Sequence, residues 1–131
     1  MRFKANSTAL SLALAALAAL LAIAPARAMP PAEKVLDDFG VQGGLVIHVG
    51  CGDGEQTGAL RRNDAFLVHG LDADPAAVDK ARARADALGL AGSVAFDTLD
   101  GRRLPHVSNL ANLVIVEQGT SLDAAEAMRV L

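Results

Sequence analysis

The chain is predicted to fold as a doubly wound α/β domain, a parallel sheet with helices on both faces. Three observations predict it. Short apolar runs recur over residues 45–49, 65–71, 93–97 and 112–117. Segments with helical spacing or helix-start signals lie between them and after the last. The first run also breaks into three alternating glycines, Gly50, Gly52 and Gly54, where a strand turns sharply into a helix.

The elements follow in chain order. Arg2 and Lys4 precede an Ala/Leu-rich run over residues 9–24, and Ala26 and Ala28 are small residues at the two positions that define a leader cleavage site. Residues 1–28 are therefore read as a secretory signal peptide cut before Met29, leaving residues 29–131 as the mature segment. The alternative is an uncleaved membrane anchor, but the run is shorter than the roughly 20 residues that cross a bilayer comfortably. No other membrane contact is expected.

Removing Arg2, Lys4 and Arg27 from the 12 basic residues leaves nine against 15 acidic ones, so the mature segment carries a net charge of −6. That balance argues against a nucleic-acid partner, whose phosphates are held mainly by lysine and arginine. Arg61-Arg62 and Arg102-Arg103 are short pairs of the kind found at solvated helix or loop ends. The single Cys51 excludes an intrachain disulfide framework. Within the glycine loop it reads as a small residue, a reactive thiol being the other option.

The spacing of the glycines bears on the ligand. A dinucleotide fingerprint, G-x-G-x-x-G, would need glycine at position 55, where Glu55 stands. The second strand ends at Asp72, 20 residues beyond Gly52. A carboxylate at that tip is placed to accept hydrogen bonds from both ribose hydroxyls of an adenosine. Asp74 precedes Pro75 and reads instead as a helix N-cap with proline at the first helical position. Val78, Ala81, Ala85 and Leu88 form the apolar stripe of that helix, and Gly89 ends it. The third strand leads to Asp100, the fourth to Glu117, and residues 121–131 begin a further amphipathic helix.

The form Gly50-x-Gly52-x-Gly54 resembles motif I of the class I S-adenosylmethionine-dependent methyltransferases, written as an acidic residue followed by x-G-x-G-x-G. The stretch GLDADPAAVDKARARADALGLAGSVAFDTLDGRRLP resembles the same family along its length, including Leu104-Pro105 after the third strand. The resemblance implies a Rossmann-like sheet and S-adenosylmethionine as cofactor. Its contacts would be His48, Gly50, Cys51, Gly52 and Gly54 around the loop, Asp72 and Ala73 at the ribose, and Asp100 near the adenine amino group. His48 departs from the pattern, standing where the family carries an acidic residue that organises the methionine end. Histidine can accept a hydrogen bond but cannot supply a fixed negative charge; its plainer role is a strand histidine satisfied by a polar neighbour.

About four strands are visible where the family has seven, so the chain is read as the N-terminal half of a longer protein, with a further C-terminal domain expected. The wider pattern is also similar to a methyltransferase-like domain that precedes a quinoprotein-type β-propeller in some exported bacterial proteins. Methyl transfer from a sulfonium mainly needs alignment and exclusion of water, and Glu117 is the candidate to orient or deprotonate a methyl acceptor, which the residues do not specify. Glu117 could equally cap a turn. His48, His69 and His106 share no metal-ligand spacing, and no metal is predicted. Two functions stand: a methyltransferase domain, or a non-catalytic exported domain that uses the fold to bind an adenosine-like ligand or a partner.

Overall fold

In the computed structural model, residues 29–131 are described. The predicted signal peptide lies outside the described residues. The elements run α1 (Ala32–Asp38), β1 (Gly44–Val49), α2 (Glu55–Leu60), β2 (Phe66–Asp72), α3 (Pro75–Ala87), β3 (Val94–Thr98), β4 (Leu113–Val116) and α4 (Ala124–Val130). The four strands form one parallel sheet in the order β3-β2-β1-β4. The predicted α/β class and all four predicted strands are present, with ends shifted by a residue or so. Helix α1 has no counterpart among the predicted elements, because seven residues are too few to display a 3.6-residue period.

Alternation along the strands divides the core into two layers. On one face Val46, Phe66, Val68 and Phe96 pack against Leu36 of α1, Leu60 of α2 and Val78, Ala81 and Ala85 of α3. On the other, Ile47, Val49 and Leu71 pack against Leu104, Ala111 and Val130. Burying a side chain such as Phe66 or Leu60 contributes about 1.5–3 kcal/mol each.

Helix α3 starts as the sequence predicts. The Asp74 carboxylate accepts the Ala76 N–H at 3.0 Å, and Pro75 occupies the first turn. Val78, Ala81 and Ala85 face the sheet, but Leu88 is 64% exposed and does not continue their stripe. The helix has ended at Ala87, so Leu88 is the C-cap, with ψ near 0°, and no longer follows the helical phase. Gly89 then supplies the left-handed residue, with φ of 68°.

The chain returns from β3 to β4 through an irregular segment pinned to α4. Leu104 N–H donates to Glu126 at 2.8 Å, Arg129 donates to the Leu104 carbonyl at 3.2 Å, and the N–H groups of Leu110 and Ala111 donate to the Val130 carbonyl. Asp123 caps α4 by accepting from Ala125 and Glu126. Among the described residues, no helix is long and apolar enough to cross a membrane.

Candidate cofactor-binding site

The strand order places the site. The chain builds β1, β2 and β3 outward in one direction and then returns to lay β4 on the other side of β1. A crevice opens at such a switch point, beyond the carboxyl ends of the strands. Here it is a groove of about 370 Å³ lined by residues that follow all four strands: Gly50 after β1, Asp72 and Ala73 at β2, Leu99 after β3, and Glu117 through Ser121 after β4. A larger groove of about 430 Å³ runs along β4 beside Val35, Phe39 and Leu131, and no charged side chain lines it.

The three glycines of the loop do different work. Each has a positive φ: 83° at Gly50, 54° at Gly52 and 79° at Gly54. At Gly50 a Cβ would meet Glu117 Cβ at 2.8 Å and Thr120 Cγ2 at 2.9 Å, so glycine lets the β4 end close over the loop. At Gly54 a Cβ would strike Phe96 and Ala81, so this glycine seats α2 against α3 and β3. Nothing lies within 4 Å of a Cβ added at Gly52.

The N–H groups of the three glycines and of Cys51 are already used. Gly50 and Cys51 both donate to the Leu71 carbonyl, at 2.7 and 3.1 Å, and Gly52 donates to Asp72 Oδ2 at 2.9 Å. The loop therefore offers a ligand close approach of backbone rather than a nest of free N–H groups. Asp72 Oδ1 accepts from Asp74 N–H at 2.9 Å. A carboxylate offers about four lone-pair sites, so Asp72 keeps one on each oxygen for a ligand diol.

Of the predicted contacts, Gly50, Asp72, Ala73 and Glu117 line the groove. Cys51 does not; it packs in the core. Burial first, and the Asp72 and Asp53 carboxylates with it, push its thiol up to about 12, which fits a small packing residue and not a nucleophile. Gly52 and Gly54 shape the loop without lining the groove. Asp100 is exposed and outside the lining, where its neighbour Leu99 presents a buried apolar wall instead. The segment turns after β3 so that Leu99 joins the core, which sends the adjacent side chain to solvent.

His48 is 2% exposed and lies behind the groove. Its Nδ1 is 2.8 Å from Thr57 Oγ1 and its Nε2 is 2.9 Å from Glu117 Oε1. A carboxylate only accepts, so Nε2 donates to it; with the ring neutral, Nδ1 accepts from the Thr57 hydroxyl. The histidine thus has polar partners on both nitrogens, and Thr57 and the His48–Glu117 pair are features that sequence reasoning missed.

A second cluster was equally hidden in the sequence. His69 Nδ1 lies 2.8 Å from His106 Nε2, and His69 Nε2 lies 2.9 Å from Asp97 Oδ2. Among the described residues, no group of three or more His, Cys, Asp or Glu is placed to hold a metal ion.

A model of the family described as a methyltransferase domain matches residues 46–131. The chain belongs to this methyltransferase-domain family. The match covers β2 to β4, β1 from Val46 onward, and the whole groove. No curated protein matches the chain. Solved structures share the fold of this methyltransferase domain. A candidate S-adenosyl-L-methionine-dependent methyltransferase from Methanococcus maripaludis is 24% identical, with a TM-score of 0.68 over 76% of this chain and 48% of that one. A SAM-dependent methyltransferase from Aquifex aeolicus is 24% identical, with a TM-score of 0.66 over 76% of this chain and 57% of that one. Geranyl diphosphate C-methyltransferase from Streptomyces coelicolor, solved with S-adenosyl-L-homocysteine, is 22% identical, with a TM-score of 0.62 over 70% of this chain and 36% of that one. The chain therefore spans between about a third and three fifths of the length of these structures.

Proposed function

We propose that the methyltransferase domain binds S-adenosylmethionine in the groove at the carboxyl ends of its strands and serves methyl transfer to an acceptor molecule. The observation that carries this reading is Asp72. Its carboxylate sits at the groove, is oriented by two backbone N–H groups, and retains lone pairs suited to the two ribose hydroxyls. Gly50 lets the β4 end close over the loop and so shapes the groove, and Leu99 supplies an apolar wall for a flat purine ring. The residues present fit the cofactor in shape and in donor set.

When bound, S-adenosylmethionine supplies a methyl group already activated on a sulfonium. The chain's own part is then to hold, orient and exclude water. Glu117, which follows β4, is the second carboxylate that lines the groove. Asp100 would reach the adenine amino group only from the rim.

The leader over residues 1–28 supports export of the protein, and the resemblance noted above supports a longer product in which a propeller-type domain follows. Mass spectrometry of the exported protein should find Met29 at its N-terminus; a retained Met1 would overturn the export reading. Calorimetric titration of the protein with S-adenosylmethionine and S-adenosylhomocysteine tests the cofactor reading. Absence of heat at millimolar ligand, with the protein folded, would refute it.

A further inference from the structure

The groove is electronegative. Its lining includes two carboxylates, Asp72 and Glu117, and no lysine, arginine or histidine. Asp72 is engaged by backbone donors on both oxygens, whereas Glu117 has a different supporting structure. Its Oε1 faces the buried His48 Nε2 at 2.9 Å, and His48 is in turn fixed by Thr57 of α2 at 2.8 Å. Its backbone is fixed too: the Glu117 N–H donates to Val49 at 2.9 Å and its carbonyl accepts from Thr120 Oγ1 at 3.0 Å. The side chain remains 33% exposed at the groove, and Oε2 has no hydrogen-bond partner among the described residues.

An imidazole N–H that donates to one carboxylate oxygen orients the group and leaves its second oxygen free. A rigid anion with one free oxygen, set in a groove without basic residues, favours a cation. It also lies directly against the glycine loop, since a Cβ at Gly50 would come within 2.8 Å of Glu117 Cβ. We infer that Glu117, held in place by His48 and Thr57, pairs with the α-ammonium group of the cofactor's amino-acid half and is not a proton acceptor for the substrate. This inference rests on the proposed binding of S-adenosylmethionine. Glu117 is the binding residue, and His48 and Thr57 are positioning residues that act through it. The fixed negative charge that His48 itself cannot provide is thereby supplied from the neighbouring strand.

The test compares two ligands in calorimetric titrations of the full chain. S-adenosylhomocysteine carries the α-ammonium group; 5′-methylthioadenosine keeps the nucleoside and thioether and lacks the amino acid. Glu117→Gln keeps an acceptor for His48 while removing the charge, which favours retention of the fold. It should weaken S-adenosylhomocysteine by about 10-fold to 100-fold, the range of a hydrogen bond to a charged group, and change methylthioadenosine by less than about twofold. Thr57→Val should give a smaller loss confined to the same ligand, and Glu117→Asp, as a second variant, should recover part of the affinity lost in Glu117→Gln. Equal weakening of both ligands, or of neither, overturns the inference while leaving the cofactor reading intact. If the unaltered protein binds neither ligand, the cofactor reading itself fails, and this inference with it.

Discussion

The Gly52 N–H donates to Asp72 Oδ2 at 2.9 Å, tying the glycine loop to the tip of β2 across 20 residues of sequence. The second oxygen accepts from Asp74. One carboxylate thus fixes both the loop and the entry to α3 while facing the groove. Asp72→Ala should lower stability by about 1–3 kcal/mol, because two N–H groups lose their acceptor. It should also weaken S-adenosylhomocysteine by about 1.5–3 kcal/mol, as expected for hydrogen bonds to a charged group. Thermal melts and titrations separate the two effects. A lowered melting temperature with unchanged affinity would show that Asp72 is only a brace for the loop.

Gly50 and Gly52 predict contrasting variants. Gly50→Ala adds a Cβ that meets Glu117 Cβ at 2.8 Å, on a backbone with φ of 83°. Strain and clash together should cost about 2 kcal/mol or more and displace the β4 end, which lowers ligand affinity with it. Gly52→Ala meets no protein atom within 4 Å, so only the left-handed φ of 54° opposes it, at about 1–2 kcal/mol. Affinity measured in that variant reports how closely the ligand approaches the Gly52 backbone. Equal loss of stability in both variants would contradict the crowding at Gly50.

Those two glycines also show what a sequence can and cannot disclose. The alternating glycines, the apolar runs and the Asp74-Pro75 start are local patterns set by backbone geometry, and each marks an element that the structure contains. The groove-lining Gly50 and Asp72 were legible for the same reason, because each sits at a fixed offset from a strand end. The His48–Glu117 and His69–His106 contacts join residues 69 and 37 positions apart. They depend on which strand lies beside β1 and on where an irregular loop returns, and no periodicity carries that information. Leu88 leaves the stripe and Asp100 stands outside the groove lining because helix termination and a loop turn decide their direction, not the residue type.

The clamp between α4 and the returning loop is sensitive to acid. Glu126 is pulled down to about 2, chiefly by its hydrogen bond from Arg129 and also by that from Leu104 N–H. A depressed carboxylate contributes stability that is fully present above its ordinary value of 4.5 and is lost as pH falls from there toward about 2. Glu126→Gln should therefore lower the melting temperature at pH 7, with the difference from the unaltered protein shrinking steadily below pH 4.5. A difference that stays constant down to pH 2.5 would refute this role for the Arg129 pair.

A second pH effect belongs to a higher range, at the histidine pair. His69 Nε2 faces Asp97, which also accepts from Arg82 at 2.9 Å, so Nε2 donates and His69 Nδ1 accepts from His106 Nε2. That leaves His106 Nδ1 as a lone pair, and it is buried without a partner among the described residues. Burial first, then His69 and Arg129, hold His106 below its ordinary 6.5. A histidine depressed in the folded state favours unfolding once the unfolded chain can take up the proton. Stability from this group is complete above pH 6.5 and falls as pH drops below it toward the folded value, so its loss begins at a higher pH than that of Glu126. Urea midpoints measured from pH 7.5 to 5 should decline in the unaltered protein and decline less in His106→Asn. Parallel slopes for the two proteins would show that the buried lone pair carries no proton linkage.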